Sequence, residues 1–307
     1  MIRDPLAIDR DTATRIVRRT IDPRLSVTDS RPLHGGSINR VFEWTTDGKP
    51  SRLVAKLNSP RHAGTFRREQ EMLGIYKAAG LPVPEVYARV EASDEFAGCG
   101  LLMQRVPGEN LSDARITQRG RVALDHQLAD RLAHLHTHLR ESYGSAHLAT
   151  GHDRWIDAFH PTIAQEYEAV RETLSSRTRG IVQDLLDALP AWLEGAGPPT
   201  LVHGDLWSTN LLVDDAKPDR PRLLAFIDGQ ASYSDPDYEL AYLRLFDTAG
   251  DAFFQRYHLV HPRRDGFERR CRVYWLSTMM MHLRIFGDRY LPPCEDMAER
   301  VRSLASG

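Results

Sequence analysis

Alternating and periodic apolar positions divide the first third of the chain into short strands and one helix. Leu53 to Lys56 is an apolar run that ends in a charge, which is typical of a buried strand. From Thr65 to Ala79 the apolar residues Phe66, Leu73 and Tyr76 recur at helical spacing. This pattern predicts an amphipathic helix directly after the strand.

The later part of the chain is dominated by helical patterns, with one pair of short strands. Apolar runs at 211–213 and 223–227 bracket the turn-rich segment DDAKPDRP and predict a hairpin-like pair. A late helix is predicted from Glu268 to Phe286, with Met279 to Met281 as core residues. The patterns favour an α+β protein with a first domain over residues 1–105, opened by a leading helix within 1–32, and a mainly helical domain over 106–307.

A carboxylate interrupts the apolar face of the first amphipathic helix. Glu69 lies three residues after Phe66 and four before Leu73, so it points to the buried side, whereas Glu71 points away. A buried carboxylate is costly unless it is paired. Lys56, at the end of the preceding strand, is the nearest partner in this layout. We therefore predict a Lys56–Glu69 ion pair.

The segment HGDLWSTN, from His203 to Asn210, carries the clearest chemical signal, and Asp228 follows eighteen residues later. This spacing is typical of a kinase-type site in which Asp205 accepts the proton of an attacking hydroxyl. Asn210 and Asp228 supply the oxygen ligands that Mg²⁺ prefers, and few are needed because Mg²⁺ also binds waters and phosphates. A lone HGD is common, but the three elements together predict phosphoryl transfer from a nucleotide with Mg²⁺.

Two glycines upstream of Lys56 are candidate phosphate contacts. Glycine lets backbone N–H groups approach a phosphate, which makes Gly35, Gly36 and the adjacent Ser37 candidate nucleotide-binding residues. The following dipeptide Asp47-Gly48 favours a tight type I′ hairpin turn. An ordinary hairpin explains the glycines about as well.

The apolar strand that begins at Gly100 is a second candidate nucleotide contact. In kinases the corresponding strand ends in a hinge whose backbone binds adenine. Gln104 to Val106 occupy the hinge position, and Met103 is expected to flank the adenine pocket. Taken alone, the segment also fits a buried strand followed by a loop.

Size and composition narrow the class of protein. A chain of 307 residues, 41% of them hydrophobic, is long enough for a two-lobed fold or two small domains. The net charge of −2 and the lack of a polybasic run argue against a nucleic-acid partner. Because the chain has neither a long apolar run nor the apolar core of a signal peptide, we expect no membrane partner and a cytoplasmic location. The three cysteines lack metal-ligand spacing and are expected to be reduced or buried thiols.

A run of histidines in LAHLHTHL invites a metal-site interpretation. On one helix whose core face is formed by leucines, His136 falls on one margin, and the pair His134 and His138 falls on the other. The three rings then cannot converge on one ion. We expect His136 to pack or hydrogen-bond near the HGD segment. The core face consists of Leu124, Leu128, Leu132, Leu135 and Leu139.

With these motifs in view, the chain resembles the fructosamine-3-kinase (ketosamine kinase) family, within the aminoglycoside phosphotransferase-like small-molecule kinases. The resemblance extends over residues 33–290. It rests on GGSIN, the strand ending in Lys56, F-x-x-E-x-x-x-L, LAHLH, HGDLWSTN and the closing HLRIFGDRY. The tryptophan of HGDLW is the most specific of these features.

The resemblance implies a protein-kinase-like two-lobed fold with the site in the cleft between a small mixed β-sheet lobe and a mainly helical lobe. It implies Asp205 as catalytic base, Asn210 and Asp228 as metal ligands, and Lys56 with Glu69 as the phosphate clamp. Trp207 is expected to pack against a sugar-like acceptor, and Glu239 to brace the catalytic segment. Many family members carry a redox-active cysteine where this chain has Ser37, so a thiol switch is not expected here.

The chain departs from the family pattern after the second metal-binding strand. The family usually has Asp-Pro-Ala there, whereas this chain reads Asp228-Gly229-Gln230. We expect an ATP- and Mg²⁺-dependent phosphotransferase that acts on a hydroxyl of a small molecule, with a ketosamine as the favoured acceptor. An aminoglycoside-type or other metabolite kinase stays open, as does a nucleotide-binding module without activity. The sequence leaves the oligomeric state and the choice between ATP and GTP open.

Overall fold

The computed structural model describes residues 8–33, 39–94 and 96–305. Its helices are α1 (Arg10–Thr20), α2 (Ala63–Ala78), α3 (Gln118–Leu135), α4 (Trp155–Val170), α5 (Ser176–Trp192), α6 (Pro236–Leu245), α7 (Asp251–Tyr257), α8 (Phe267–Phe286) and α9 (Leu291–Ala305). Its strands are β1 (Val27–Pro32), β2 (Arg40–Thr46), β3 (Arg52–Asn58), β4 (Val86–Val90), β5 (Cys99–Gln104), β6 (Glu109–Asn110), β7 (Gly144–Ser145), β8 (Thr200–Val202), β9 (Leu211–Asp214), β10 (Arg222–Phe226) and β11 (Ser232–Ser234). Short 3₁₀ helices cover Pro60–His62, Ser208–Asn210 and Asp288–Tyr290.

The chain separates into two compact units. The first contains Met1–Glu109 and Leu224–Gly229, and the second contains Asn110–Leu223 and Gln230–Gly307. The first unit carries a five-stranded antiparallel sheet with α1 and α2, and the second is mainly helical. The predicted α+β fold class is confirmed. None of the described helices combines the length and the apolar character needed to cross a membrane.

Strand β3 lies at the centre of the large sheet, whose strand order is β1-β2-β3-β5-β4. Successive side chains of a strand point to opposite faces of the sheet. Leu53, Ala55 and Leu57 accordingly face the core that contains α1. Lys56 lies opposite Leu101 of β5 and projects to the other face, on which α2 packs. The alternation of β3 therefore directs a lysine toward α2.

Helix α2 buries the residues that its periodicity predicts, namely Phe66, Leu73 and Tyr76. Phe66 packs in a cluster with Leu101 and Met103 of β5. The helix begins two residues before and ends one residue before the predicted bounds of 65–79.

The leading helix predicted within residues 1–32 is present as α1, and the same segment also contains β1. Two local predictions are wrong. Asp47-Gly48 does not form a two-residue turn, because β2 ends at Thr46, β3 begins at Arg52, and the Thr46 N–H donates to Ser51 O at 2.9 Å. Helix α3 ends at Leu135, so the later histidines do not continue its face, and Leu139 is 57% exposed.

The predicted pair of short strands is present as β9 and β10. Arg222 at the start of β10 is paired with Asp214 at the end of β9, at 2.6 Å. Strand β9 follows directly from the 3₁₀ helix that ends at Asn210. Strand β8 leads into His203 and pairs with β11, with Val202 opposite Ser232. These strands hold both ends of the HGDLWSTN segment.

Helices α6 and α8 of the second unit are joined by buried ion pairs. Arg270 of α8 is fully buried and donates to Asp237 of α6 at 2.6 and 3.0 Å. Asp235, at the N-cap of α6, is also fully buried and accepts from Tyr274 at 2.6 Å. Burial, followed by the charge of Asp237, raises the pKa of Asp235. Removal of one partner from such a network leaves a buried charge without full compensation.

Met279 and Met280 are buried in α8, as predicted for core residues, whereas Met281 is only partly buried. Cys99, Cys271 and Cys294 are buried free thiols, also as predicted. Burial raises the pKa of each thiol, to about 12 for Cys294.

The buried Arg270–Asp237 pair should contribute more to the stability of the second unit than an exposed ion pair does. Arg270→Met is expected to lower the free energy of unfolding by about 3 kcal/mol, because Asp237 stays buried with Arg264 as its remaining cationic partner. Arg244→Met removes an exposed pair with Glu268 and is expected to cost less than about 1 kcal/mol. Urea denaturation of both variants provides the measurement. Equal losses of unfolding free energy in the two variants would contradict the larger contribution of the buried pair.

Candidate active site

Lys56 of the first unit lies between two carboxylates. Its Nζ donates to Glu69 Oε1 at 2.7 Å and also contacts Asp228 Oδ1. The ion pair predicted from the pattern of α2 is thus present. The side chains of Lys56 and Glu69 are 13% and 19% exposed, whereas that of Asp228 is 40% exposed. The first unit therefore holds one ammonium group and two carboxylates at one place.

The charge state of Lys56 follows from these contacts. Burial by itself lowers the pKa of a lysine, because the charged form loses its hydration. Glu69 and then Asp228 more than offset this effect, so the pKa of Lys56 is raised. The raised pKa favours the ammonium form of Lys56, as an anion-binding group requires.

The backbone at Asp228 is held in an uncommon conformation. Asp228 has φ 56°, in the left-handed region that few residues other than glycine, asparagine and aspartate adopt. A Cβ on the following residue, Gly229, would lie 2.5 Å from the hydroxyl oxygen of Tyr76. The ring of Tyr76, which is buried in α2, thus approaches the backbone so closely that a side chain at position 229 would require the ring to shift. No sequence pattern indicates this contact.

Of the other residues predicted to bind the nucleotide, the structure describes those near the end of β5 but not the glycines upstream of Lys56. Gly35, Gly36 and Ser37 lie outside the described residues. Met103 is buried in β5, opposite Val54 and Val86. Gln104 ends this strand and its N–H donates to Glu85 O at 2.7 Å. Val106 is 8% exposed, and its carbonyl accepts from the guanidinium of Arg105.

Asp205 of the second unit is fixed by the segment that carries it. The amide Nδ2 of Asn210 donates to the backbone carbonyl of Asp205 at 2.7 Å and to its Oδ2 at 3.1 Å. Asn210 is 5% exposed and ends the 3₁₀ helix before β9. Because Nδ2 is engaged in this way, the amide oxygen is the atom of Asn210 that can ligate a cation.

Helix α6 contributes two further contacts to the HGD segment. Glu239 Oε1 accepts from Gly204 N at 2.8 Å, and its Oε2 lies 3.0 Å from His136 Nε2. The other ring nitrogen of His136 lies 2.6 Å from Tyr257 OH. The bracing role expected of Glu239 and the expected hydrogen bonding of His136 are confirmed.

In residues 8–33, 39–94 and 96–305, no three or more His, Cys, Asp or Glu side chains form a metal-binding group.

The second contact from α6 was missed by sequence reasoning. The hydroxyl of Tyr242 donates to Asp205 Oδ1 at 2.8 Å. Burial raises the pKa of Tyr242, and the charge of Asp205 raises it further. In the sequence Tyr242 follows Asp237 by five residues, and this spacing does not indicate a partner 37 positions earlier.

Trp207 lies on the surface beside this segment. It is 39% exposed, which does not fit a core residue. Its ring centroid is 6.4 Å from that of Phe246, which in turn lies 4.7 Å from Tyr242 and 5.2 Å from His282. The second unit thus presents a carboxylate next to a row of aromatic rings, an arrangement suited to a hydroxyl-bearing molecule with an apolar face.

Gly204 allows the backbone to turn just before Asp205. Its φ is 79°, and a Cβ there would lie 2.5 Å from the carbonyl oxygen of Gln230. Gly204→Ala is therefore expected to lower the free energy of unfolding by about 1–3 kcal/mol. Gly180→Ala is the matched control, because that glycine lies within α5 with no atom within 4 Å of the new Cβ.

For Gly180→Ala we expect a gain of about 0.5–1 kcal/mol, since alanine is the better helix former. Urea denaturation of the two variants should thus give changes of opposite sign. A neutral or stabilising Gly204→Ala would show that the loop does not need glycine.

Comparison with known proteins places the chain in a family. The model of the phosphotransferase enzyme family matches residues 29–271. The chain is 27% identical over 287 residues to a probable ketoamine kinase of Enterococcus faecium, covering 87% of this chain and 93% of the relative. A probable ketoamine kinase of Synechocystis is 24% identical over 304 residues, or 94% of this chain and 95% of that relative.

Solved structures show the same fold. A candidate fructosamine-3-kinase from Haemophilus somnus 129PT has a TM-score of 0.75 at 16% identity, covering 95% of this chain and 97% of that one. A thermostable mutant of the aminoglycoside phosphotransferase APH(4)-Ia, in a ternary complex with AMP-PNP and hygromycin B, has a TM-score of 0.70 at 22% identity, covering 96% of this chain and 99% of that one. The resemblance to ketosamine kinases within this wider group is confirmed. The chain belongs to the phosphotransferase enzyme family and is a small-molecule kinase.

Proposed function

We propose that this kinase transfers the γ-phosphoryl group of ATP, with Mg²⁺, to a hydroxyl of a small sugar-like molecule, and that a ketosamine is its preferred acceptor. The contact between Lys56 of β3 and Glu69 of α2, at 2.7 Å, carries the proposal. A lysine on this strand that is paired with a helical glutamate is the phosphate-gripping element of kinases.

The first unit is proposed to bind the nucleotide. Lys56 contributes a fixed positive charge to the α- and β-phosphates, and Glu69 holds its ammonium in place. Asp228 is proposed as a magnesium ligand, since its carboxylate is 40% exposed and so accessible to an ion. Gly35, Gly36 and Ser37 are proposed phosphate contacts, and Met103, Gln104 and Val106 are proposed adenine contacts.

The second unit is proposed to supply the base. Asp205 accepts the proton of the acceptor hydroxyl while that oxygen forms its bond to the γ-phosphorus and ADP leaves. Asn210 is proposed as a further magnesium ligand through its amide oxygen. Carboxylate and amide oxygens are the hard donors that suit Mg²⁺. When bound, Mg²⁺ neutralises charge on the phosphates.

Two observations favour a ketosamine as the acceptor. The curated relatives that span most of the chain are named ketoamine kinases. The exposed ring of Trp207, with Phe246 behind it, offers a flat apolar surface in the same segment as Asp205. Sugar rings have apolar faces that pack on such surfaces.

A panel of acceptors tests the proposed function. The purified protein is incubated with ATP and Mg²⁺ and with a glycated amine, an aminoglycoside or a simple hexose. Release of ADP and phosphorylation of the acceptor are measured. We expect turnover with the glycated amine, loss of turnover on chelation of Mg²⁺, and a decrease of roughly 100-fold or more in kcat for Asp205→Asn with ATP affinity unchanged.

Asp219→Asn serves as the control for this variant, because Asp219 lies in the exposed loop between β9 and β10 and binds Thr117. It should retain wild-type turnover. Near-normal turnover of Asp205→Asn would remove this residue from its role. If the protein prefers the aminoglycoside, the aminoglycoside replaces the ketosamine as the proposed acceptor.

Trp207 provides a separate test of the acceptor surface. Trp207→Ala should raise the KM for the acceptor roughly 10-fold, because the stacking surface is lost, with little change in the KM for ATP. Trp207→Phe, which keeps an aromatic face, should lie between the two. Because Trp207 is 39% exposed, the melting temperature should hardly change. An unchanged acceptor KM in a stable protein would contradict the proposal.

A further inference from the structure

We infer that Tyr242 is a positioning residue that holds the carboxylate of Asp205 in the orientation needed for proton transfer. This inference rests on the proposed function, in which Asp205 is the base. Its basis is the hydrogen bond of 2.8 Å from the Tyr242 hydroxyl to Asp205 Oδ1.

The two oxygens of Asp205 are held from different elements. Tyr242 of α6 donates to Oδ1, and Asn210 of the 3₁₀ helix donates to Oδ2 at 3.1 Å. A bond to each oxygen prevents the carboxylate from rotating about its Cβ–Cγ bond. Each carboxylate oxygen can accept two hydrogen bonds. The hydroxyl of an acceptor can therefore still bind to the oriented carboxylate.

Helix α6 gives Tyr242 a fixed position. Its N-cap, Asp235, is fully buried and bonded to Tyr274, and Glu239, three residues before Tyr242, binds Gly204 N at 2.8 Å. Helix α6 thus binds the backbone of Gly204 through Glu239 and the side chain of Asp205 through Tyr242. The Tyr242 hydroxyl is consequently held in a fixed position relative to the segment that carries Asp205.

Tyr242 also stays a donor. Burial raises its pKa, and the neighbouring Asp205 raises it further, so the hydroxyl keeps its proton. The charge of Asp205 also acts on Tyr238 of α6 and on His282 of α8. Burial raises the pKa of Tyr238 to about 12 and lowers that of His282, so both favour their neutral forms.

The ring of Tyr242 has a second neighbour. It lies 4.7 Å from Phe246, which packs toward Trp207. The hydroxyl and the ring can therefore be separated by substitution. Tyr242→Phe removes only the bond to Asp205, whereas Tyr242→Leu also removes an aromatic ring beside the proposed acceptor surface.

Steady-state kinetics with the best acceptor of the panel test the inference. Tyr242→Phe should lower kcat roughly 10- to 100-fold, the loss typical of a hydrogen bond to a charged group. Both KM values and the melting temperature should stay near those of the wild type. Tyr242→Leu should in addition raise the acceptor KM. Tyr143→Phe is the matched control, because its hydroxyl is also buried but donates to the carbonyl of Gly197 at 2.6 Å, and it should keep the wild-type kcat.

A double-mutant cycle shows whether Tyr242 acts through Asp205. In the Asp205→Asn background, Tyr242→Phe should leave the residual turnover unchanged. A further loss of 10-fold or more in that background, an unchanged kcat for the single variant, or an effect confined to KM would each overturn the inference. If Asp205→Asn retains wild-type turnover, the proposed function and this inference both fail. If Asp205→Asn is inactive but Tyr242→Phe is normal, only the inference fails.

Discussion

Three carboxylates at the N-terminal end of α6 must each be paired, and this requirement determines how the HGD segment is held. Asp235, Asp237 and Glu239 are 0%, 3% and 2% exposed. A carboxylate at such depth is stable only when its oxygens are bonded. Asp235 and Asp237 bind Tyr274 and Arg270 of α8, and Glu239 binds the backbone N–H of Gly204. Helix α6 therefore links the helical core to the loop that carries Asp205.

The same rule governs the first unit. The alternation of β3 directs Lys56 to the face on which α2 lies, and the periodicity of α2 directs Glu69 toward it. Each charge is acceptable because of the other, and Asp228 adds a second carboxylate to the ammonium. In both units, groups suited to phosphoryl transfer are held by pairing that stability also requires. Such an arrangement positions charge before any ligand is bound.

The parts of the structure that follow from local pattern could be predicted from the sequence. The pairing of Lys56 with Glu69 is of this kind, because one strand and one helix set both directions. The contact of Tyr242 with Asp205 could not be predicted, since it depends on how α6 packs against a loop 37 positions earlier. The tight turn predicted at Asp47-Gly48 is absent, because the connection between Thr46 and Arg52 is longer than the two residues that this local signal favours. After α3 ends at Leu135, His138 and Leu139 bond to the segment that begins at Thr200, a tertiary contact that the polar sequence HTH does not indicate.

The close approach of Tyr76 to Gly229 limits how this chain can diverge. Any side chain at position 229 would meet the phenol ring, whose oxygen lies 2.5 Å from the place of a Cβ. The Gly229 that distinguishes this chain from the usual Asp-Pro-Ala pattern is thus matched to a bulky residue on α2, 153 positions earlier. A larger residue at position 229 therefore requires the ring of Tyr76 to move away or to be replaced by a smaller side chain.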